Sequence, residues 1–236
     1  MTSQKILKLK KLFKFYNIDG YIVPKNDAYF SEFSSPDRLK SISNFSGSAG
    51  YAVILKKKNF LFVDGRYIIQ AKIESGKQFQ IVEVPIYSPK KILNRIREKL
   101  NLGFDPHLFT NFLIKKNFDK KFNLIPIKNN LIDIVSKKTN KKSVSTFYNL
   151  DKNVVGESID QKINKIIKSI KYKNIDNIFI SAPENVAWLL NLRGKDQPNS
   201  PIPNCKLILT KDKKIYFFSC PKKISKIRKI KDYKKL

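Results

Sequence analysis

Residues 46–76, SGSAGYAVILKKKNFLFVDGRYIIQAKIESG, decide the fold class of this chain. They predict a strand over 51–56, a turn of lysine and asparagine, and a second strand over 60–63. A helix is then predicted to begin at Gly65 or Arg66 and to end at Gly76, because glycine commonly stops a helix. The two strands form a hairpin and must therefore pair antiparallel.

The flanking segments continue the alternation of strands and helices. An amphipathic helix is predicted at the N-terminus, strands at GYIVP and FQIVEV, and a helix over 89–100. Beyond residue 150 the order helix, strand, helix, strand hairpin repeats in outline. The sequence thus predicts an α/β fold of two related domains, each with a mixed sheet flanked by helices.

A domain boundary is predicted where the apolar pattern stops. Residues 136–149, SKKTNKKSVSTFYN, are polar and rich in lysine. We expect a first domain over 1–136, a linker over 137–149 and a second domain over 150–236. With three predicted strands and two helices, the second domain is thin for independent stability and is expected to be incomplete.

The composition is that of a globular protein, with 42% hydrophobic and 28% charged residues among 236. No stretch approaches the roughly 20 apolar residues that span a bilayer. Lysines interrupt the apolar residues of the N-terminal segment, which argues against a secretory signal. We therefore expect a cytoplasmic protein without a membrane partner, in which Cys205 and Cys220 are inert buried thiols.

The net charge of +29 raises the alternative of a nucleic-acid binder. The cations are mostly lysines and lie along the whole chain beside many asparagines and isoleucines. Nucleic-acid readers tend instead to concentrate arginines and stacking aromatic residues on one surface. A biased composition explains the charge better, and no specific nucleic acid is expected.

No catalytic constellation is evident. The single histidine, His107, follows Asp105 and Pro106, which together are typical of a helix start. Metal centres need several His, Cys or carboxylate ligands that converge. We therefore predict no catalytic and no metal-binding residue in this chain.

Two motifs supply candidate site residues. In VDGRY, Asp64 is predicted to cap the helix start and to pair with Arg66. In NVAWLLNLRGKDQPNSP, residues 185–201, Trp188 is predicted to be a core anchor and Gly194 a helix stop. Arg193 and Asp196 are predicted to brace the turn. These two acids, two arginines and one tryptophan are candidate substrate-rim or interface positions, although structural roles account for them better.

Five segments together resemble one family. DGYIVPKNDAYFSEF, FSGSAGYAVI, FVDGRYIIQA, LGFDP and NVAWLLNLRGKDQPNSP occur in the order found in Xaa-Pro aminopeptidases of the creatinase/prolidase group. The resemblance covers about residues 18–219. It implies two ribonuclease-H-like domains that precede a "pita-bread" catalytic domain. In the family, that domain binds two divalent metal ions, typically manganese, and removes an N-terminal residue that precedes proline.

No segment of this chain resembles the catalytic domain, so none of the family's metal ligands can be assigned here. The resemblance implies a non-catalytic portion that caps the cleft and pairs subunits, inactive alone because metal-activated water is lacking. A homo-oligomer or a separate catalytic chain is the expected partner, and short Xaa-Pro peptides are the substrates of the whole enzyme. The alternative is a stand-alone binding or regulatory module of the same fold.

Overall fold

The computed structural model describes residues 2–31, 34–118, 122–136, 145–225 and 227. The chain divides into two compact units, Met1–Asn140 and Lys141–Leu236. Within the described residues, no helix is both long enough and apolar enough to cross a membrane.

The first unit alternates strands and helices. Its helices are α1 (Thr2–Phe15), α2 (Arg38–Ser43), α3 (Ile68–Ser75), α4 (Pro89–Leu93), α5 (Asn111–Asn117) and α6 (Leu131–Ser136). Its strands are β1 (Gly20–Pro24), β2 (Tyr51–Leu55), β3 (Asn59–Asp64), β4 (Gln80–Val84), β5 (Asn101–Phe104) and β6 (Asn123–Pro126). Two short 3₁₀ helices cover Gly65–Tyr67 and Pro106–Leu108.

These strands form one mixed sheet in the order β4-β3-β2-β1-β5-β6. The hairpin β2–β3 is antiparallel, with Tyr51 opposite Phe62 and Val53 opposite Phe60. Strand β1 pairs antiparallel with β2 and parallel with β5. Strands β4 and β6 extend the sheet in parallel at its two ends. The predicted mixed sheet flanked by helices is therefore confirmed.

Both faces of the sheet are buried. Ile54 and Leu61 belong to one apolar cluster with the inward residues of α1, whereas Val53 and Phe62 belong to a second cluster that contains Ile92 of α4. All five residues of β1 are buried. A strand covered on two faces has a nearly continuous apolar sequence, which explains the runs GYIVP and YAVIL.

The turn before β2 depends on one glycine. Gly50 has φ 152°, and a Cβ added there would lie 2.8 Å from the carbonyl oxygen of Phe62. Only glycine tolerates both the conformation and the close approach. The tight turn predicted in SGSAG is therefore confirmed at Gly50.

The predicted helix over 89–100 is too long. It begins at Pro89 as predicted, with Ser88 as its N-cap in the structure, but α4 ends at Leu93. The N–H groups of Arg95 and Ile96 donate to carbonyls three residues back, those of Ile92 and Leu93. This tighter pattern replaces the α-helix because the chain must turn to enter β5.

The second unit is smaller. Its helices are α7 (Ile159–Tyr172), α8 (Pro183–Leu189) and α9 (Pro221–Ile224). Its strands are β7 (Tyr148–Asn149), β8 (Asn177–Ile180), β9 (Leu192–Arg193), β10 (Lys206–Thr210) and β11 (Ile215–Phe218). An antiparallel sheet has the order β11-β10-β8, and β7 pairs separately with β9.

The predicted linker over 137–149 differs from the structure in its second half. Residues 137–144 lie outside the described part of the chain. Phe147 is fully buried in the core of the second unit, and Tyr148 lies opposite Arg193 in the β7–β9 pair. Residues 145–149 therefore belong to the second unit, because one apolar side chain within a polar segment is enough to attach it to a core.

Candidate functional site

Segment 185–201 lies in the second unit and joins α8 to the loop before β10. Helix α8 begins at Pro183, whose missing N–H costs nothing at a first helical position. The helix ends at Leu189, and Asn191 follows with φ 49°, a left-handed conformation that asparagine adopts readily. The predicted helix stop at Gly194 is wrong, since the chain has already left the helix at Asn191.

Gly194 allows a close approach of chain segments. Its N–H donates to the carbonyl oxygen of Pro201 at 3.1 Å. A Cβ added there would lie 2.8 Å from Cα of Pro203 and 2.9 Å from Cδ1 of Phe147. The residue is therefore needed for packing.

Trp188 is exposed, and its prediction as a buried core anchor is wrong. The side chain is 53% exposed, whereas Val186, Leu189 and Leu190 are buried in the core of this unit. At 100° per residue on a helix, those three positions point to one side and position 188 points to the other. The apolar residues flanking Trp188 occupy the core and leave its indole at the surface.

The buried Lys162 of α7 forms hydrogen bonds to the C-terminal end of α8. Its Nζ donates to the carbonyl oxygen of Trp188 at 2.6 Å and to Oδ1 of Asn191 at 2.5 Å. The same Nζ lies 4.6 Å from the centroid of the Trp188 ring. The amine thus adds a donor to the Trp188 carbonyl, which also accepts the backbone N–H of Asn191 at 3.3 Å at the helix end.

Burial dominates the electrostatics of Lys162, whose side chain is almost inaccessible. Desolvation lowers the pKa of this amine, the nearby Glu157 acts in the opposite direction, and Arg193 lowers it further. Sequence reasoning missed Lys162. Its position on the inward face of α7, between Ile159, Ile163 and Ile166, could have indicated that it is buried.

The predicted brace between Arg193 and Asp196 is wrong. Nη1 of Arg193 donates to the carbonyl oxygens of Leu192 at 2.8 Å and Ala187 at 3.3 Å. The side chain of Asp196 is buried, where it pairs with Lys223 and accepts a hydrogen bond from the N–H of Asn204 at 2.7 Å. The turn at Gly194 therefore directs the two side chains to different partners.

Asp64 and Arg66 lie in the first unit, where the predicted pairing is confirmed. Asp64 caps the 3₁₀ helix and accepts the N–H of Arg66 at 3.0 Å. Its carboxylate also accepts hydrogen bonds from Nε of the same arginine at 3.1 Å and from its Nη2 at 2.8 Å. This hydrogen bonding lowers the pKa of Asp64. Because both side chains bind each other locally, the pair has a sufficient structural role.

His107 lies at the start of a 3₁₀ helix, as the sequence predicts. Oδ1 of Asp105 accepts hydrogen bonds from the backbone N–H and from Nδ1 of His107, both at 3.0 Å. Its Oδ2 accepts a hydrogen bond from Nδ2 of Asn130 at 2.9 Å. The histidine side chain is 61% exposed on an open cavity of about 630 Å³ that Arg38 also lines. Asp105 therefore orients the imidazole as part of a local cap.

The two cysteines differ. Cys205 is buried, and desolvation raises the pKa of its thiol to about 12, which suits an inert core residue. Cys220 is exposed, and its prediction as a buried thiol is wrong. It precedes α9 at the helix N-cap, a position at the surface of the unit.

A larger cavity, of about 1330 Å³, lies in the second unit beside β7 and the start of α7. Its walls are residues 145–152, residues 155–161, Asn191 and Lys195. The lining includes the acidic residues Asp151 and Asp160 and the basic residue Lys152. The lining can bind polar groups of either charge, and Trp188 is not part of it.

The two units correspond in sequence to one kind of domain. The family described as "Creatinase/Prolidase N-terminal domain" matches residues 5–135, and a second family of the same description matches residues 138–235. The chain belongs to the creatinase/prolidase N-terminal domain family.

Similar proteins have names that agree with this membership. "Probable Xaa-Pro aminopeptidase P" of Coprinopsis cinerea is 31% identical over 92% of this chain and 37% of its own length. The protein of the same name from Paracoccidioides brasiliensis (strain Pb03) is 33% identical over 85% of this chain and 34% of its own length. This creatinase/prolidase N-terminal chain therefore spans about a third of the length of the curated relatives it matches.

A solved relative has a similar fold. The X-prolyl aminopeptidase of Caenorhabditis elegans, described as a cytosolic enzyme with a di-nuclear active site, matches with a TM-score of 0.85. The match has 26% identity and covers 96% of this chain and 40% of that one. The arrangement of strands and helices in this creatinase/prolidase N-terminal chain is thus that of part of a known peptidase.

A di-nuclear centre of the kind named for that relative needs several ligands that converge on the metal ions. Among those that the structure describes, no group of three or more His, Cys, Asp or Glu side chains is placed to hold a metal ion. Asp105, the carboxylate beside His107, is occupied by that histidine and by Asn130. The described residues do not fit a di-nuclear centre.

Proposed function

We propose that this chain is the N-terminal, non-catalytic portion of an Xaa-Pro aminopeptidase, in which it caps the catalytic cleft and contributes to subunit pairing. The observation that carries this proposal is the match of both units, in order, to creatinase/prolidase N-terminal domains. The similarity of 96% of the chain to part of one X-prolyl aminopeptidase supports it.

The substrates of the complete enzyme are short peptides with proline at the second position. The names of the relatives, which specify the Xaa-Pro bond, support this assignment. Two divalent metal ions, manganese by resemblance, would supply an activated water when bound. They would be held by residues outside this chain, in a longer polypeptide or in a separate catalytic chain. A cytosolic location fits the description of the C. elegans relative.

The predicted rim residues divide into two groups on their contacts. Asp64, Arg66 and Asp196 bind partners within their own unit, and we assign them structural roles. Trp188 near the end of α8 is 53% exposed, and Arg193 of β9 is half-buried, which supports a role for both at the rim of the cleft. We place the first domain at about 1–136, as the sequence indicates, and begin the second near residue 145.

A chimera tests the proposed function. This chain replaces the aligned part of the C. elegans enzyme, and release of the N-terminal residue from an Xaa-Pro tripeptide is measured with manganese. We expect release by the chimera that a chelator abolishes, and no release by the 236-residue chain alone. An Xaa-Ala tripeptide is the matched control substrate.

Two results would contradict the proposal. One is chelator-sensitive release by the isolated chain, which would make it catalytic. The other is a folded, metal-loaded chimera that does not cleave the Xaa-Pro peptide, which would favour a stand-alone binding module.

A further inference from the structure

Strand β8 lies at an edge of the sheet in the second unit. It follows the long helix α7 as β1 follows α1 in the first unit. In that unit, β1 pairs with β2 on one side and with β5 on the other. Among the described strands, β8 pairs with β10 only. Its outer edge therefore presents backbone N–H and C=O groups with which another strand can pair.

The sequence of β8 lacks the residues that protect other edge strands of this chain. Charged side chains and prolines commonly prevent an edge strand from pairing with another molecule. Strand β4 contains Glu83 and is followed by Pro85, and β6 ends at Pro126. Lys213 and Lys214 immediately precede β11. Strand β8, with the sequence NIFI, contains neither a charged residue nor a proline.

An apolar row crosses the sheet on the face that the core of the unit does not cover. Phe179 of β8 lies opposite Ile208 of β10, which in turn lies opposite Tyr216 of β11. The next residues along the strands, such as Leu207 and Phe217, belong to the buried cluster on the other face. Phe179 is 59% exposed. The row therefore has its most exposed ring at the free edge of β8.

The segment that contains β8 lacks the cations found elsewhere in the chain. Of the 48 lysines and arginines, none lies within residues 174–192, which include all of β8 and α8. Two copies of a chain with net charge +29 repel each other, because a net charge far from zero opposes association. This repulsion is weakest where cations are absent, so β8 is the favoured place for two copies to meet.

The charges at the two ends of β8 favour an antiparallel partner. The exposed Lys171 and Lys173 precede the strand, and the exposed Glu184 follows it. Asp176, next to the strand, is already bound to Lys211 at 2.6 Å. In an antiparallel pair, the start of one strand lies beside the end of the other, so the two lysines of each copy approach the glutamate of the other. A parallel pair would instead bring like charges together.

We propose that two copies of this chain pair through antiparallel β8 strands, which joins their three-stranded sheets into one continuous sheet about a twofold axis. Directly opposite residues share a face of a sheet, so an axis at Phe179 sets that ring opposite its own copy on the exposed face. Ile178 then lies opposite Ile180 of the other copy on the core side. The inference rests on the proposed function for its role in an enzyme, and it names the surface of the subunit pairing included there.

The oligomeric state of the full chain tests the proposal. Light scattering coupled to size-exclusion chromatography should give twice the mass of one chain at high micromolar concentration, and the mass should fall on dilution. Phe179→Lys places two like charges at the axis and should raise the dissociation constant at least about tenfold. Tyr216→Lys is the matched control, since it makes the same change in charge on the same face at the opposite edge of the sheet. It should leave the dissociation constant unchanged.

Charge reversal tests the direction of pairing. Glu184→Lys should weaken the dimer, and addition of Lys173→Glu to the same chain should restore it in part, because each copy again meets an opposite charge. Hydrogen exchange provides a second measurement, since β8 amides should exchange slowly in the wild-type dimer and faster in Phe179→Lys. Circular dichroism verifies that each variant folds.

Three results would overturn the inference. One is a monomeric wild-type chain at high micromolar concentration. Another is equal weakening by Phe179→Lys and Tyr216→Lys, which would indicate that the sheets pack face to face. The third is slow exchange of β8 amides in the chimera but not in the chain alone, which would show that a strand of the longer polypeptide covers this edge.

The chimera also separates failure of this inference from failure of the proposed function. An active chimera together with a monomeric 236-residue chain would leave the function standing without pairing through β8. A folded, metal-loaded but inactive chimera together with a chain whose dimer is weakened by Phe179→Lys alone would support the pairing and reject the function.

Discussion

The two units cover their sheets differently, although they match domains of one description. Residues of β1–β3 in the first unit alternate between two apolar clusters, so both faces are buried. In β8, β10 and β11 of the second unit, more and less accessible residues alternate, and the apolar cluster lies on one face. On the other face Phe179, which is 59% exposed, lies opposite Ile208. A sheet with one buried face leaves side chains for contacts outside the unit.

Two isoleucine substitutions on inner strands should give the largest contrast between the units. Ile54→Ala on β2 removes a fully buried side chain and should lower the free energy of unfolding by about 2–5 kcal/mol. Ile208→Ala on β10 removes a partly exposed side chain, with an expected loss below about 1 kcal/mol. Urea unfolding of the full chain measures both. Equal losses would show that the second sheet is covered on both faces.

The second-largest effect on stability should come from replacing one of two glycines in the second unit. Gly194→Ala places a Cβ 2.8 Å from Cα of Pro203, and the resulting overpacking should cost about 1–3 kcal/mol. Gly156→Ala is the matched control, since no atom lies within 4 Å of its added Cβ. That variant should change stability by less than about 1 kcal/mol. If Gly194→Ala left the free energy of unfolding unchanged, the loop before β10 could move to accommodate the added Cβ.

Lys162→Met should cost about 1 kcal/mol, because the carbonyl of Trp188 and Oδ1 of Asn191 each lose one hydrogen bond while a buried charge is relieved. The pH dependence is more specific. Burial lowers the folded-state pKa of Lys162 below 10.5, so the unfolded chain binds more protons between the two values. Wild-type stability should therefore rise relative to the Met variant as pH increases through the folded pKa towards 10.5. Parallel stability curves would contradict a buried cation.

Removing the exposed ion pair between Asp64 and Arg66 in the first unit should have the smallest effect on the free energy of unfolding. Arg66→Gln removes the ion pair with Asp64, in which the arginine side chain is 76% exposed, and should cost about 0.2–1 kcal/mol. Because the pKa of Asp64 is lowered from 3.8, this contribution is present above that value and is lost as pH falls through the folded pKa. Differential urea unfolding at neutral and acidic pH measures it, and a loss as large as that of Ile54→Ala would refute this ranking.

Structural features that depend on residues close together in the sequence could be predicted from the sequence. Asp64 and Arg66 are separated by one residue, so the turn itself brings their side chains together. The hairpin over 51–64, the helix start at Pro89 and the glycine turn at Gly50 likewise follow from local chain geometry. In the candidate site, the helix of Trp188 and its proline start were predictable for the same reason.

The sequence by itself determined the alternation of strands and helices, the mixed sheet and the family, because these depend on periodicity, turns and ordered motifs. Only the tertiary structure decided which way Trp188 faces, that Lys162 is buried beneath it, and that Asp196 pairs with Lys223 rather than Arg193. The contacts of Lys162 with Trp188 and of Asp196 with Lys223 join residues at least 26 positions apart. Such contacts are set by the packing of helices on a shared core, which no local pattern records.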